Sequence, residues 1–152
     1  MEHILSMIGL AKKAGRVEIG EEPVGAAARA KKARIILVAS DAAPSSVRRA
    51  SSFASAGNCP VLTIPADKDA LGRSLGRTSV AMAAVTEIGF ADAIVKKLAA
   101  LDESYLAVSE ELAVKARRAM ERRQEQARHE KKLRRAGTGS QTGKKKKNPS
   151  RS

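Results

Sequence analysis

Five consecutive apolar residues, Ile35-Ile36-Leu37-Val38-Ala39, constrain this chain more than any other feature. The run has strand length and is rich in β-branched residues. Successive side chains of a strand point to opposite faces, so an unbroken apolar run needs cover on both. It therefore predicts an inner strand of a sheet with helices packed above and below.

The flanking sequence supplies those helices. Ile4, Leu5, Ile8 and Ala11 recur at helical spacing, and Gly15 closes that helix. Val17-Glu18-Ile19 is a short extended stretch, and Gly20 precedes an Ala-rich helix from Glu21 to about Lys32. After the apolar run, Asp41 to Pro44 turns the chain into a helix carrying Val47 and Phe53. Pro60-Val61-Leu62-Thr63-Ile64-Pro65 is a strand bracketed by prolines. A short helix from about Asp67 to Leu75 leads to a further strand, Ser79 to Val85. Phe90, Ile94, Leu98 and Leu101 then mark the apolar stripe of an amphipathic helix. The expected architecture is three layers, helix–sheet–helix, around four strands.

Charge divides the chain. Residues 1–102 hold 14 basic and 10 acidic residues, whereas 103–152 hold 15 and 6. Beyond Met120 the only Val, Ile, Leu, Met or aromatic residue is Leu133. The expected organisation is a domain over 1–102, a basic and mostly polar helix over 103–136, and a disordered lysine-rich tail over 137–152. Ser109-Glu110-Glu111 reads as a helix start, a capping hydroxyl followed by two acids. Leu106, Ala113, Met120 and Ala127 repeat every seven residues, a weak coiled-coil seam, so no oligomer is implied.

The formal net charge of +13 points to a polyphosphate partner, most simply nucleic acid. Aromatics are 2% of the chain, too few for modules that stack bases on aromatic side chains. One cysteine, Cys59, and two histidines, His3 and His129, supply neither a disulfide nor a zinc site, so no metal or other cofactor is expected. Catalysis is not expected either. Cys59 has no histidine partner, and Asp67 and Asp69 read as capping and dipole groups at a helix start. Gly72 to Thr78 lacks the spacing and the lysine of a phosphate-binding loop. There is no apolar run of membrane-spanning length, and Met1-Glu2-His3 does not open a signal peptide, so a cytoplasmic protein is expected.

Two stretches, in order, are similar to a known family. The first comprises Gly9-Leu10-Ala11-Lys12-Lys13-Ala14-Gly15, then Gly20-Glu21-Glu22, then Ala33-Arg34 and the apolar run to Ser40-Asp41. The second is Leu71-Gly72-Arg73-Ser74-Leu75-Gly76, followed by the strand Val80 to Val85 and by Gly89-Phe90-Ala91. Over residues 2–101 they resemble the L7Ae/L30e/S12e ribosomal protein family, in particular its bacterial ribosomal-protein-like members. The resemblance implies a three-layer α-β-α sandwich with a four-stranded mixed sheet, and non-catalytic binding of RNA. In many members that RNA is a kink-turn, a sharply bent internal loop.

On that likeness the grip lies where Val17–Ile19 enters the next helix, aided by the loop before the last strand. Gly20 lets the RNA approach, Glu21 and Glu22 accept from base edges, and Lys31, Lys32 and Arg34 hold phosphates. Arg73 and Arg77 are further expected RNA contacts, and Lys144, Lys145, Lys146 and Lys147 add sequence-independent phosphate affinity. Kink-turn binders place a base-reading Asn, an acid and a later Lys where this chain has Glu22, Pro23 and Ala26. Each residue also has a plainer role open to it: Gly20 as a turn, Glu21 and Glu22 as complements to a helix dipole, the cations as solvated charges at a helix end. The expected partner is ribosomal or another structured RNA, with ribosomal proteins as further partners. The alternative is a protein–protein adaptor of the same fold, to which the basic tail adds non-specific affinity for nucleic acid.

Overall fold

The computed structural model describes residues 1–144, with side chains to residue 136, as two units: Met1–Ala116 and the chain from Arg117 onward. In the first unit α1 (Glu2–Lys13), β1 (Val17–Ile19), α2 (Glu21–Arg29), β2 (Ile35–Val38), α3 (Pro44–Gly57), β3 (Val61–Thr63), α4 (Lys68–Ser74), β4 (Met82–Val85) and α5 (Ile88–Leu101) follow one another. A turn of 3-10 helix, Glu103–Tyr105, then leads into α6 (Leu106–Lys144).

The strands make one sheet in the order β1-β4-β2-β3. β4 runs antiparallel to β1, with Ile19 opposite Ala83, and to β2, with Val38 opposite Met82. β2 and β3 are parallel, with Ile36 opposite Val61, so the sheet is mixed. Both inner strands are buried at every residue. Ile36, Val38, Met82 and Ala84 pack with Val24 and Ala27 of α2 and with Ala50 and Ala54 of α3. Alternation sends Ile35, Leu37, Ala83 and Val85 to the other face. There α1 packs against α4 and α5, burying Ile4, Ile8, Leu71, Ile94 and Leu98. Each such aliphatic side chain contributes about 1.5–3 kcal/mol. The three expected layers are therefore present, and the apolar run is the inner strand β2.

Four helices stop in the same way. The residues after their ends, Gly15, Lys31, Asn58 and Gly76, take φ values of 74°, 60°, 53° and 71°. The next amide in each case bonds back five residues: Arg16 to Ala11, Lys32 to Ala27, Cys59 to Ala54 and Arg77 to Gly72, at 2.8–3.0 Å. This turn ends α2 at Arg29, short of the expected Lys32. β4 likewise starts at Met82 instead of Ser79, and residues 76–81 form a loop. The Asp67 carboxylate caps α4 by accepting from the Ala70 N–H at 2.8 Å, the role its sequence position suggested.

The first unit extends to Ala116. The Asp102 carboxylate accepts from the Ser104 N–H at 2.9 Å, which holds it below the usual carboxylate range. The Tyr105 hydroxyl donates to the Thr63 carbonyl of edge strand β3 at 2.5 Å, and burial together with Asp102 pushes that phenol up. α6 starts at Leu106, three residues before Ser109, and buries both Ser109 and Leu112. At the entry to β3, burial raises the half-buried Cys59 thiol, while the charges of Lys115 and Lys31 partly oppose that rise. Residues 103–116 thus flank the β3 edge, an arrangement that protects an otherwise open strand.

In the second unit all side chains from Met120 to Ala136 are exposed. The helix is described to Lys144, through the start of the segment expected to be disordered. Lys145, Lys146 and Lys147 lie outside the described residues. No described helix is long and apolar enough to cross a membrane.

Candidate nucleic-acid interface

Gly20 is the hinge between β1 and α2. Its φ of 92° and ψ of 169° are open to glycine and strained for other residues. Its N–H donates to the Met82 carbonyl at 3.1 Å, and its carbonyl accepts the Val24 N–H at 3.0 Å. The start of α2 is therefore fixed beside the start of β4. The loop that carries Arg77 enters β4 at this same end of the sheet, pinned by the Val80 N–H on the Lys68 carbonyl at 3.0 Å. Gly72 lets this loop fold onto α4: a Cβ there would stand 2.8 Å from the Ser79 nitrogen. The two expected elements of the interface, the α2 start and the loop before β4, are thus neighbours.

No described side chain caps α2, and Pro23 in its first turn has no N–H to offer. The Glu21 and Glu22 amides are left for an incoming acceptor, with the positive end of the helix dipole behind them. Glu21 is bound by Arg49 of α3 in an ion pair. That contact offsets the acid's charge where phosphates would otherwise be repelled. A cleft of about 400 Å³ opens here between α2 and α3, lined by Glu21, Glu22, Arg29, Arg49 and Phe53. Arg29 and Arg49 are members of this surface that the sequence reading missed. Only the packing of α3 on α2 brings Arg49 to Glu21, 28 residues away in the chain.

The other expected contacts lie elsewhere. Arg34 donates its N–H to the Val85 carbonyl at 2.8 Å, so it stands at the far end of β4 from Gly20. Four strand residues separate the two levels, roughly 10 Å at the usual rise. Lys31 and Lys32 follow the C-terminus of α2, on that far side, and Arg16 joins them there through its carbonyl bond from Thr86, 2.9 Å. Lys31 is also engaged: its Nζ donates to the Ala56 carbonyl at 2.5 Å, tying the end of α2 to that of α3. Arg73 is exposed on α4, in a groove against α1. Gly20, Glu21 and Glu22 therefore share one place with the β4 end of the loop, whereas Arg77, whose N–H donates to the Gly72 carbonyl at 2.8 Å, stays with Arg73 at the C-terminus of α4.

Comparison with known proteins agrees with this geometry at the level of the fold. A protein of unknown function from Bacillus halodurans C superposes with a TM-score of 0.57 at 25% identity, covering 61% of this chain and 93% of its own. A Giardia lamblia 15.5kD RNA binding protein superposes with a TM-score of 0.53 at 17% identity, covering 66% of this chain and 85% of its own. No curated protein sequence matches the chain. The model of the ribosomal protein L7Ae/L30e/S12e/Gadd45 family matches residues 2–95, most of the folded unit. By that match and the mixed α-β-α sheet it shares with these structures, the chain belongs to the L7Ae/L30e/S12e/Gadd45 family.

Proposed function

We propose that this protein is a non-catalytic, cytoplasmic RNA-binding protein, ribosomal or ribosome-associated, that recognises a structured RNA of kink-turn type. The observation that carries the reading is the uncapped start of α2 at Gly20, held beside the loop before β4. Amide donors and positive potential there suit a phosphate, while the carboxylates of Glu21 and Glu22 can accept from splayed base edges. Membership of a family of ribosomal proteins, and an RNA binding protein among its structural neighbours, support the same partner. Residues 117–152, with 14 basic and 3 acidic side chains, add affinity without sequence. Within this reading the folded unit chooses the site and the basic extension, Lys144–Lys147 included, holds the backbone. The adaptor alternative draws on one observation, the Arg49 ion pair that occupies Glu21.

The test is fluorescence anisotropy with a kink-turn RNA and a straight duplex of the same nucleotides, across a salt series. The full chain is expected to bind both at low salt. A 1–116 fragment is expected to keep the preference for the bent RNA with a much shallower salt slope. Absence of RNA binding by the full chain at low salt refutes the proposal, and equal binding of the two RNAs by the 1–116 fragment refutes its kink-turn part.

A further inference from the structure

Parts of the two family-like stretches meet away from Gly20. Gly9–Lys13 of α1 and Arg73–Gly76 at the end of α4 face each other across an open groove of about 920 Å³ on the opposite layer of the sandwich. A Cβ on Gly9 would stand 3.0 Å from the Ser74 carbonyl oxygen, so this pairing of α1 and α4 is close. The groove combines two features that a soluble surface seldom keeps together. Leu10 is 57% exposed and Leu5 half-buried, so the α1 wall of the groove presents two separate apolar side chains. Towards the α1 C-terminus stand Lys12, Lys13 and Arg73, none of which forms an ion pair among the described residues. Glu2 lines the groove on the first turn of α1, away from those cations.

We infer that the α1–α4 groove is a docking site for an acidic amphipathic helix of a partner protein. A row of phosphates could use the three cations but gains nothing from Leu5 and Leu10. A helix whose apolar side chains meet those leucines, and whose carboxylates meet Lys12, Lys13 and Arg73, uses both. Two facing helices also present a channel into which a third can seat by ridge-into-groove packing. The polarity of the groove sets the direction: the carboxylate-rich end of the incoming helix lies over the α1 C-terminus and Arg73. The inference does not rest on the proposed RNA site, whose loop before β4 begins at Gly76 on the rim of this groove.

The probe is a fluorescein-labelled amphipathic peptide of about four helical turns, with leucines along one face and glutamates flanking them. A second peptide carries serines in place of the leucines. With the full-length protein, the leucine peptide is expected to bind at least tenfold more tightly than the serine peptide. Leu10→Ser should weaken it about tenfold with the circular dichroism spectrum unchanged, since the side chain is exposed. Lys12→Gln/Lys13→Gln should weaken it similarly, while Lys131→Gln/Lys132→Gln in the second unit leaves it unchanged. Equal binding of the two peptides, or no effect of Leu10→Ser, would show simple charge attraction and overturn the inference. So would a tenfold loss of kink-turn RNA affinity in Leu10→Ser with no peptide binding, which would assign the groove to RNA.

Discussion

Leu112 decides where the folded unit ends, and truncating it to alanine tests that boundary. The side chain is fully buried, although it lies ten residues past the end expected from composition. Leu→Ala changes in cores cost about 2–5 kcal/mol. The structure sets a lower ceiling here. Residues 103–116 are held by the burial of Leu112, about 1.5–3 kcal/mol, and by the hydrogen bond from Tyr105 to Thr63, about 0.5–1.5 kcal/mol. Docking of the segment is thus worth roughly 2–4 kcal/mol, and no change inside it can cost more, because the segment then detaches while the sheet persists. Leu112→Ala is expected to lower stability by about 2–3 kcal/mol in urea titrations followed by circular dichroism. Adding Tyr105→Phe should cost less than that substitution costs alone, since both act through one docking event. Hydrogen exchange should quicken at β3 and stay slow at β2 and β4. A loss under about 0.5 kcal/mol with β3 still protected would refute the argument and return the boundary to residue 102.

Three further outcomes follow from the same geometry. Gly72→Ala should destabilise by about 1–3 kcal/mol in thermal melts, because its Cβ meets the Ser79 and Thr78 backbone under 3 Å away, outweighing the helix-propensity gain; a stabilised variant would refute the contact. Tyr105 is the only tyrosine and there is no tryptophan, so its ultraviolet titration is clean and should fall above the ordinary value of 10.0. Because that phenol is raised on folding, its contribution to stability is complete below pH 10 and is lost as pH climbs through the folded value; Leu112→Ala should return the titration towards 10. Lys31→Gly should leave the melting midpoint unchanged or raise it, since relief of the left-handed backbone, about 1–2 kcal/mol, exceeds the bond to Ala56; a loss beyond about 1 kcal/mol would refute the strain.

Periodicity made the layers legible, because Ile35–Ala39 and the stripe from Phe90 to Leu101 are dictated by local geometry. Capping chemistry was legible at Asp67 and Gly15, which act within one turn of chain. The end of α2 was not, since Lys31 takes a backbone conformation that its residue type gives no sign of. The domain boundary was hidden for a related reason: Leu112 and Ser109 are the only buried residues in a polar segment. The candidate interface was half legible. Gly20, Glu21 and Glu22 adjoin in sequence and remain adjacent, but Arg49 and the dispersal of Lys31, Lys32 and Arg34 depend on strand order, which no local pattern encodes.

Strand order also sets the timetable of folding. β4, the last strand to leave the ribosome, is the one inserted between β1 and β2. Until residues 82–85 have been made, β1 has no partner, and β2 is joined only to β3, the near neighbour reached through α3. A nascent chain that stalls before Met82 therefore carries the most apolar strand of the protein with one edge open, a template for pairing with another chain. Insertion of β4 supplies ladder bonds on both of its sides in one step and closes loops that span the domain, so sheet formation is late and cooperative. Chain termination, translational pausing and proteolytic nicking anywhere before that strand should then yield aggregates in place of a shortened but folded product.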